Sequence, residues 1–371
     1  MNICRIFVAV LCAVLLFSPY AGTEEKTSWR VTSSPKEEVS FPDILGYETL
    51  LCDLHMHTVF SDGNVWPTVR VDEAWRLDLD VISISDHIEY LPHVEDIPKN
   101  HNRSYEIASP HAKVRNILMP RATEITRDTP PGHFNAIFLK DVDPLDNEVF
   151  LGQIETANEQ GAFVFWNHQG WKGEERGSWR DVHTTMFEKK WLHGMEVCNG
   201  GSYYPSAHKW CVEKNMTMLG TSDIHAPGLL LKNSADEHRT ITLVFAKDKT
   251  LPSVKEALFA GRTAVWYENQ LIGRQEFLKE VFHEALEIEE PYLAENNTYY
   301  LEMKNTADIE LVMERTGAHG PASMTIPPKS TIQLRVKTEG GLEEIDLEYT
   351  VNNFLVSPGT GLPVEFTVDL E

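Results

Sequence analysis

Asp53-Leu54-His55-Met56-His57-Thr58-Val59-Phe60-Ser61-Asp62-Gly63 sets three metal-capable side chains on alternate positions and ends them in a glycine turn. Along an extended strand this alternation turns Asp53, His55 and His57 to one face and Leu54 and Met56 to the other. Two imidazoles aimed at one spot predict a metal site at the end of a strand. An isolated H-x-H also fits a partly buried strand whose histidines are satisfied by neighbours, so the reading depends on further ligands.

Those ligands follow in order. Val81-Ile82-Ser83-Ile84-Ser85-Asp86-His87 is a buried-looking strand that ends in an Asp-His pair. Glu124 follows Met119-Pro120-Arg121-Ala122-Thr123, His133 sits in Pro131-Gly132-His133-Phe134-Asn135, and His168 closes Phe163-Val164-Phe165-Trp166-Asn167-His168. Last comes Gly220-Thr221-Ser222-Asp223-Ile224-His225, where alternation again puts Asp223 and His225 on one side. Apolar runs predict strands over residues 50–57, 81–85, 116–125, 135–139, 162–166, 194–197, 217–221 and 240–245. Helical patterns lie between several of them, notably over 69–77, 150–160 and 254–260. Alternating strands and helices argue for a parallel α/β barrel-like sheet, with its chemistry at the C-terminal ends of the strands.

The series H-x-H with Asp, Asp-His, Glu, Gly-His, Asn-His and Asp-x-His resembles the polymerase and histidinol phosphatase (PHP) family of metal-dependent phosphoesterases. The resemblance runs from about residue 48 to about residue 270. It implies a distorted seven-stranded (β/α)7 barrel and a cluster of two to three divalent metals, Zn, Mn or Fe. By position, His55, His57 and Asp223 would hold the first metal, and Glu124 would bridge it to a second held by His133 and His168. Asp62, His87 and His225 would hold a third. Some family members carry His where this chain has Asp62, which makes the third site richer in oxygen. Mixed imidazole and carboxylate ligation suits Zn, Mn or Fe better than Ca. Asp86 offers two readings: an acceptor or proton-transfer group beside His87, or a carboxylate that caps the following turn. On the substrate side, Gly261-Arg262-Thr263 resembles a segment near the end of many such domains, which offers Arg262 as a phosphate clamp, a surface salt bridge being the alternative. Trp166, Trp171 and Trp179 flank His168, and Trp171, in a glycine-rich loop, is the best candidate to stack on a base or sugar. His101, His111 and His208 read as exposed or loop histidines.

The ends of the chain differ from this core. Residues 1–22 read as a secretory signal peptide: an apolar run from Ile6 to Phe17, too short to span a membrane, precedes small residues at Ala21 and Gly22. Residues 23–45 form a polar arm, residues 46–283 the metal-binding domain, and residues 284–371 a small all-β, Ig-like sandwich. In that last part alternating runs are separated by turn-rich pieces such as Gly317-Ala318-His319-Gly320-Pro321 and Ser357-Pro358-Gly359-Thr360-Gly361. These features place the protein outside the cytoplasm, secreted or periplasmic, with no transmembrane segment after cleavage. Beyond the signal the chain keeps Cys52, Cys198 and Cys211, whose odd number excludes complete internal pairing and whose spacing makes neither a disulfide framework nor a zinc ribbon.

The formal net charge of -23 disfavours a broad grip on long nucleic acid, which needs Lys and Arg against phosphates. Bound divalent cations reverse such a field locally, so a small phosphorylated substrate, a nucleotide or an oligonucleotide end stays compatible. The expected activity is hydrolysis of a phosphomonoester or phosphodiester by a metal-activated water. An amidohydrolase-type metal hydrolase also begins with H-x-H, but the Asp86-His87 pair and the Asp223-x-His225 ending favour the phosphoesterase. A catalytically silent metal-containing binder has little need of so full a ligand set.

Overall fold

The computed structural model describes residues 36, 38–228, 238–293, 297–338 and 344–370. The proposed signal peptide and most of the following arm lie outside them. Among the described residues no helix is long and apolar enough to cross a membrane.

The first half runs β1 (Glu48–Met56), α1 (Pro67–Arg76), β2 (Val81–Ile84), α2 (Arg103–Val114), β3 (Ala122–Ile125), β4 (Phe134–Ile137), α3 (Phe150–Glu159) and β5 (Phe163–Trp166). It continues with α4 (Asp181–Glu188), β6 (Gly194–Asn199), β7 (Ser202–Tyr203), α5 (Pro205–Lys214), β8 (Thr217–Thr221), β9 (Ile241–Ala246), α6 (Leu251–Phe259), β10 (Thr263–Tyr267), β11 (Gln270–Gly273) and α7 (Gln275–Ala285). From Leu50 onward every residue of β1 is buried, as are all residues of β2, β3, β4 and β5, which is why these segments read as apolar runs without clean alternation. Proline opens α1 and α5 and stands second in α6, positions where a missing N–H costs nothing.

The sheets are mixed, not parallel as expected. β1 runs parallel to β2 but antiparallel to β9, which is antiparallel to β10. In the second sheet β3, β4 and β5 alternate in direction, whereas β5, β6 and β8 run parallel. For β3–β4 and β10–β11 the reason is the connection, since only short loops join them and a parallel pair needs a crossover of a dozen or more residues. The two sheets meet through isolated bridges, His87 with Glu124, Val81 with Leu118, and Met56 with Ile224. Metal-capable residues from both sheets therefore face one another at this seam.

Several predicted boundaries shift. The strand expected over 116–125 shrinks to Ala122–Ile125, because Asn116 takes a left-handed φ of 58° and Pro120 has no N–H for a ladder. Helices α2, α4, α5 and α7 have no counterpart in the sequence reading. In α2 the buried positions are Ser104, Ala108 and Ala112, a stripe of small residues that makes little hydrophobic signal.

The C-terminal part comprises β12 (Leu286–Ile288), β13 (Tyr292–Leu293), β14 (Thr298–Asn305), β15 (Leu311–Arg315), β16 (Ser323–Ile326), β17 (Ser330–Lys337), β18 (Glu344–Ser357) and β19 (Thr360–Asp369). β12, β13 and β17 pair with β14 in one sheet. β18 and β19 make a long hairpin whose turn places Gly359 at a φ of +73°, a conformation glycine adopts without a Cβ penalty. β18 also runs parallel to β11, pairing Leu271 with Phe354 and Ile272 with Leu355, so the first sheet continues across residue 284. One apolar core spans both sides, with Leu271, Phe277 and Phe282 packed in the same cluster as Tyr349, Phe354 and Leu362.

Candidate metal centre

β1 ends where its histidines converge with two carboxylates from elsewhere. His55 Nε2 and His57 Nε2 lie 3.0 Å apart. His55 Nε2 is 3.2 Å from Asp223 Oδ1 and 3.3 Å from Glu124 Oε2, and His57 Nε2 is 3.1 Å and 3.3 Å from the same two oxygens. A second group surrounds Asp62, whose Oδ1 lies 3.2 Å from His225 Nε2, 3.5 Å from His87 Nε2 and 3.6 Å from His57 Nδ1. A third joins Glu124 to His87 Nδ1 and His133 Nδ1, each at 2.9 Å. His168 stands slightly outside, its Nε2 3.6 Å from Glu124 Oε1 and 3.8 Å from Asp223 Oδ2. Asp223 and His168 both hold left-handed backbone, φ 50° and 26°, strain of the kind that recurs at functional sites.

Behind the converging atoms stands a shell of buried partners that the sequence reading did not single out. Glu196, fully buried in β6, lies 2.8 Å from His55 Nδ1 and accepts from Thr221 Oγ1 at 2.6 Å, the His168 backbone N–H at 2.7 Å and Asn199 Nδ2 at 2.8 Å. Asn167 Nδ2 donates to Glu124 Oε1 at 2.9 Å. Asp53 shares the strand face of His55 but is not among the converging groups: it accepts from the backbone N–H and hydroxyl of Ser222 and faces Arg239. Asp86 accepts from Thr58 N–H, Thr58 Oγ1 and Ser61 Oγ at 2.7–2.8 Å, so its contacts are those of a turn cap.

Charge decides how these groups titrate. Burial disfavours protonation of His55, yet Asp223, Glu196 and Glu124 together raise its pKa well above the ordinary histidine value. His87 is likewise pushed up to about 10, burial being outweighed by Glu124 and Asp62. His168 and His225 rise for the same reason. Burial pushes the carboxyls the other way from their neighbours, but imidazoles win and hold Glu124, Asp223 and Asp62 below the usual carboxylate range.

The cluster opens into a cleft of about 340 Å³ lined by Asp62, His87, Glu124, His133, His168, Trp171, Asn199, Tyr204, Asp223 and His225. Trp171 is half exposed and sets its ring edge-on to both His133 and His168, with centroids 5.6 Å away in each case.

A solved two-domain protein from Bacteroides vulgatus ATCC 8482, described as containing a predicted PHP-like metal-dependent phosphoesterase, superposes with a TM-score of 0.83 at 41% identity. The match covers 90% of this chain and 99% of that one. This chain belongs to the PHP-like family. A profile of an Ig-like domain, DUF5001, matches residues 286–367. A putative metal-dependent phosphoesterase from Bifidobacterium adolescentis shows a TM-score of 0.41 and 16% identity over 57% of this chain and 96% of its own. An amidohydrolase from Chromobacterium violaceum shows 0.37 and 14% over 48% and 88%. No curated protein matches the chain.

For a PHP-like protein the donor set fits divalent metals. Imidazole nitrogens and carboxylate oxygens crowd within 3.3 Å around His55 and His57, and Asp62 Oδ1 is buried without a hydrogen-bond partner. The structure gathers His55, His57 and Asp223 in one group, with Glu124 Oε2 3.3 Å from both imidazoles, and Asp62, His87 and His225 with His57 in another. It differs for Glu124 and His133, whose tight third partner is His87 rather than His168. Arg262 is a correction: its guanidinium donates to the Phe245 carbonyl, pairs with Glu256 and covers Tyr47, and it does not line the cleft. Trp166 is buried core against His183 and Trp210, with Trp179 at its edge. His208 is fully buried, not exposed, because it turns inward on α5 to meet Tyr203 Oη at 2.8 Å, and burial lowers its pKa to about 4. His111 binds Asp72, and His101 lies near Asp146. Cys52, Cys198 and Cys211 are buried free thiols outside the metal-capable groups.

Proposed function

We propose that this chain is a secreted or periplasmic hydrolase that cleaves a small phosphate ester, a monoester in preference to a diester, at a multinuclear site. The observation that carries the reading is the convergence of His55, His57, Glu124 and Asp223 on one point within 3.0–3.3 Å. In the proposed assignment His55, His57, Asp223 and Glu124 would hold one ion, Glu124, His133 and His168 a second, and Asp62, His87 and His225 a third, the ions being Zn, Mn or Fe. Divalent metals bound there would supply an acidified water and neutralise charge on the phosphoryl oxygens. β1 to β6 and β8 read as the staves of a distorted seven-stranded PHP barrel.

The chain's own residues prepare that centre. Glu196 at His55 Nδ1 favours the tautomer that leaves Nε2 without a proton and aimed at the cluster. Asn167 orients Glu124, and Thr126 Oγ1 lies 2.6 Å from His87 Nδ1. Asp86 fixes the turn that carries Asp62 through Thr58 and Ser61. Trp171 offers a flat wall beside His133 and His168 for the leaving group, which suits a base or sugar and keeps a nucleotide among the candidates. Export rests on the apolar run over residues 6–17.

The test is turnover. Purified protein loaded with Mn or Zn is expected to release nitrophenol from nitrophenyl phosphate faster than from bis-nitrophenyl phosphate, and Glu124→Ala is expected to lose metal and turnover together. No cleavage of either ester with metal bound, or full activity in Glu124→Ala, overturns the proposal.

A further inference from the structure

Helix α1 carries a buried arginine that does not itself line the cleft yet touches the backbone of the Asp-x-His segment at successive residues. Arg70 is completely buried, and each N–H of its guanidinium has an acceptor. Nε donates to the His57 carbonyl at 2.9 Å, Nη1 to Ala226 O at 2.9 Å and Glu73 Oε2 at 2.8 Å, and Nη2 to Ile224 O at 3.0 Å and His225 O at 2.8 Å. Glu73, also fully buried, accepts the Gly228 N–H at 2.6 Å through its other oxygen. Arg239 faces both Glu73 and Asp53, so two arginines and two carboxylates form a charge-balanced group beneath the segment from Ser222 to Gly228.

The two ends of that segment are not held alike. Asp223 is anchored by the sheet: its N–H donates to the His55 carbonyl, and the His57 N–H donates to Ile224 O. Among the described residues no strand continues from Ile224 to Gly228, and the carbonyls of His225 and Ala226 turn to the guanidinium, with the Asn64 N–H as the one other described backbone donor to His225 O. We infer that Arg70 is a positioning residue for His225: its fork ties the His57 carbonyl after β1 to the carbonyls after β8 and so completes the group made by Asp62, His87 and His225 with His57, while His55 and Asp223 are joined through the sheet without it. This inference rests on the metal-centre reading above. An ordinary buried ion pair would support the fold without distinguishing the two groups.

Lysine at this position keeps the charge beside Glu73 but has three donors on one atom and cannot span the same carbonyls. In full-length Arg70→Lys, Mn2+ titration with direct metal analysis is expected to show the class lost in a His225→Ala reference weakened about 10–100-fold. The class lost in a His55→Ala reference should stay within threefold of the parent protein, even though the melting temperature falls because lysine leaves buried carbonyls without a donor. In the metal-free protein, amide exchange is expected to speed up over residues 222–228 and stay unchanged over 217–221. Equal weakening of both metal classes, or of neither, overturns the inference. Should the parent protein take up no metal, the metal-centre reading falls, and the exchange pattern alone decides the role of Arg70. If Arg70→Lys does not accumulate as folded protein, Arg70→Met with Glu73→Met removes both charges together, and the same selective pattern is required of it.

Discussion

Replacing Glu196 by Gln is a near-isosteric change whose effect follows from the hydrogens around it. One carboxylate oxygen receives the His168 N–H and Asn199 Nδ2, and the other receives Thr221 Oγ1 and lies 2.8 Å from His55 Nδ1. A glutamine NH2 in the first position would face two N–H donors that cannot turn away. In the second it meets a hydroxyl that can rotate to accept, and an imidazole that can accept only by moving its proton to Nε2. The variant therefore settles with its amide nitrogen towards His55 and forces the tautomer whose Nε2 carries hydrogen, the state unable to bind a metal. Undoing that state and losing a charge-assisted bond costs about 1.5–3 kcal/mol, a weakening of roughly 10–100-fold at 1.4 kcal/mol per decade. Competition against a chromophoric chelator reads it directly, with circular dichroism to show an intact fold. A Glu196→Gln protein that holds its tightest metal within threefold of the parent would refute the tautomer argument.

Protonation gives a second expectation. His87 is held near 10, so in the metal-free protein at pH 8 it carries a proton that a metal must displace, and the raised values of His55, His168 and His225 act in the same direction. Metal uptake should release protons, seen as a buffer-dependent heat in calorimetry, and affinity should fall as pH drops. The sign for the metal-free fold is the opposite: raised histidine values stabilise it below the unfolded value of about 6.5. That stabilisation is lost as pH rises through about 10 for His87, so the metal-free melting temperature should decline over this window. Trp171→Ala should raise KM for an aryl phosphate several-fold with little change in kcat, because the ring borders the cleft and meets His133 and His168 edge-on, with Lys172 over its face; an unchanged KM counts against the stacking wall. Deleting residues 284–371 uncovers Leu271, Phe277 and Phe282, each worth about 1.5–3 kcal/mol of burial, and the product should aggregate on size-exclusion chromatography; a soluble, active fragment would contradict this.

Most of the metal-capable residues were legible because they border the end of a buried apolar run, where composition marks both the strand and its interruption. Alternation put His55 and His57 on one face, and the resemblance to the PHP family added Glu124 and Asp223 to them. Glu196 was missed although its signal was present: a lone carboxylate in Gly194-Met195-Glu196-Val197-Cys198 contradicts the strand around it and calls for a buried partner. Arg70 and Glu73 look like the solvated face of an amphipathic helix, and only the packed structure shows them turned inward. Arg262 misled for the converse reason, since a Gly-Arg-Thr segment says nothing of direction, and the guanidinium turns back onto Phe245 and Glu256. Strand direction was illegible because an apolar run looks the same whichever way it is threaded.

The pairing of β18 with β11 has a consequence in time. β1 brings the H-x-H pair early in synthesis, but the sheet that contains it passes through β9, β10 and β11, and the outer edge of β11 gains its neighbour only when Phe354 and Leu355 have been made. A chain emerging from its N-terminus thus carries the histidines for most of its elongation on an incomplete sheet.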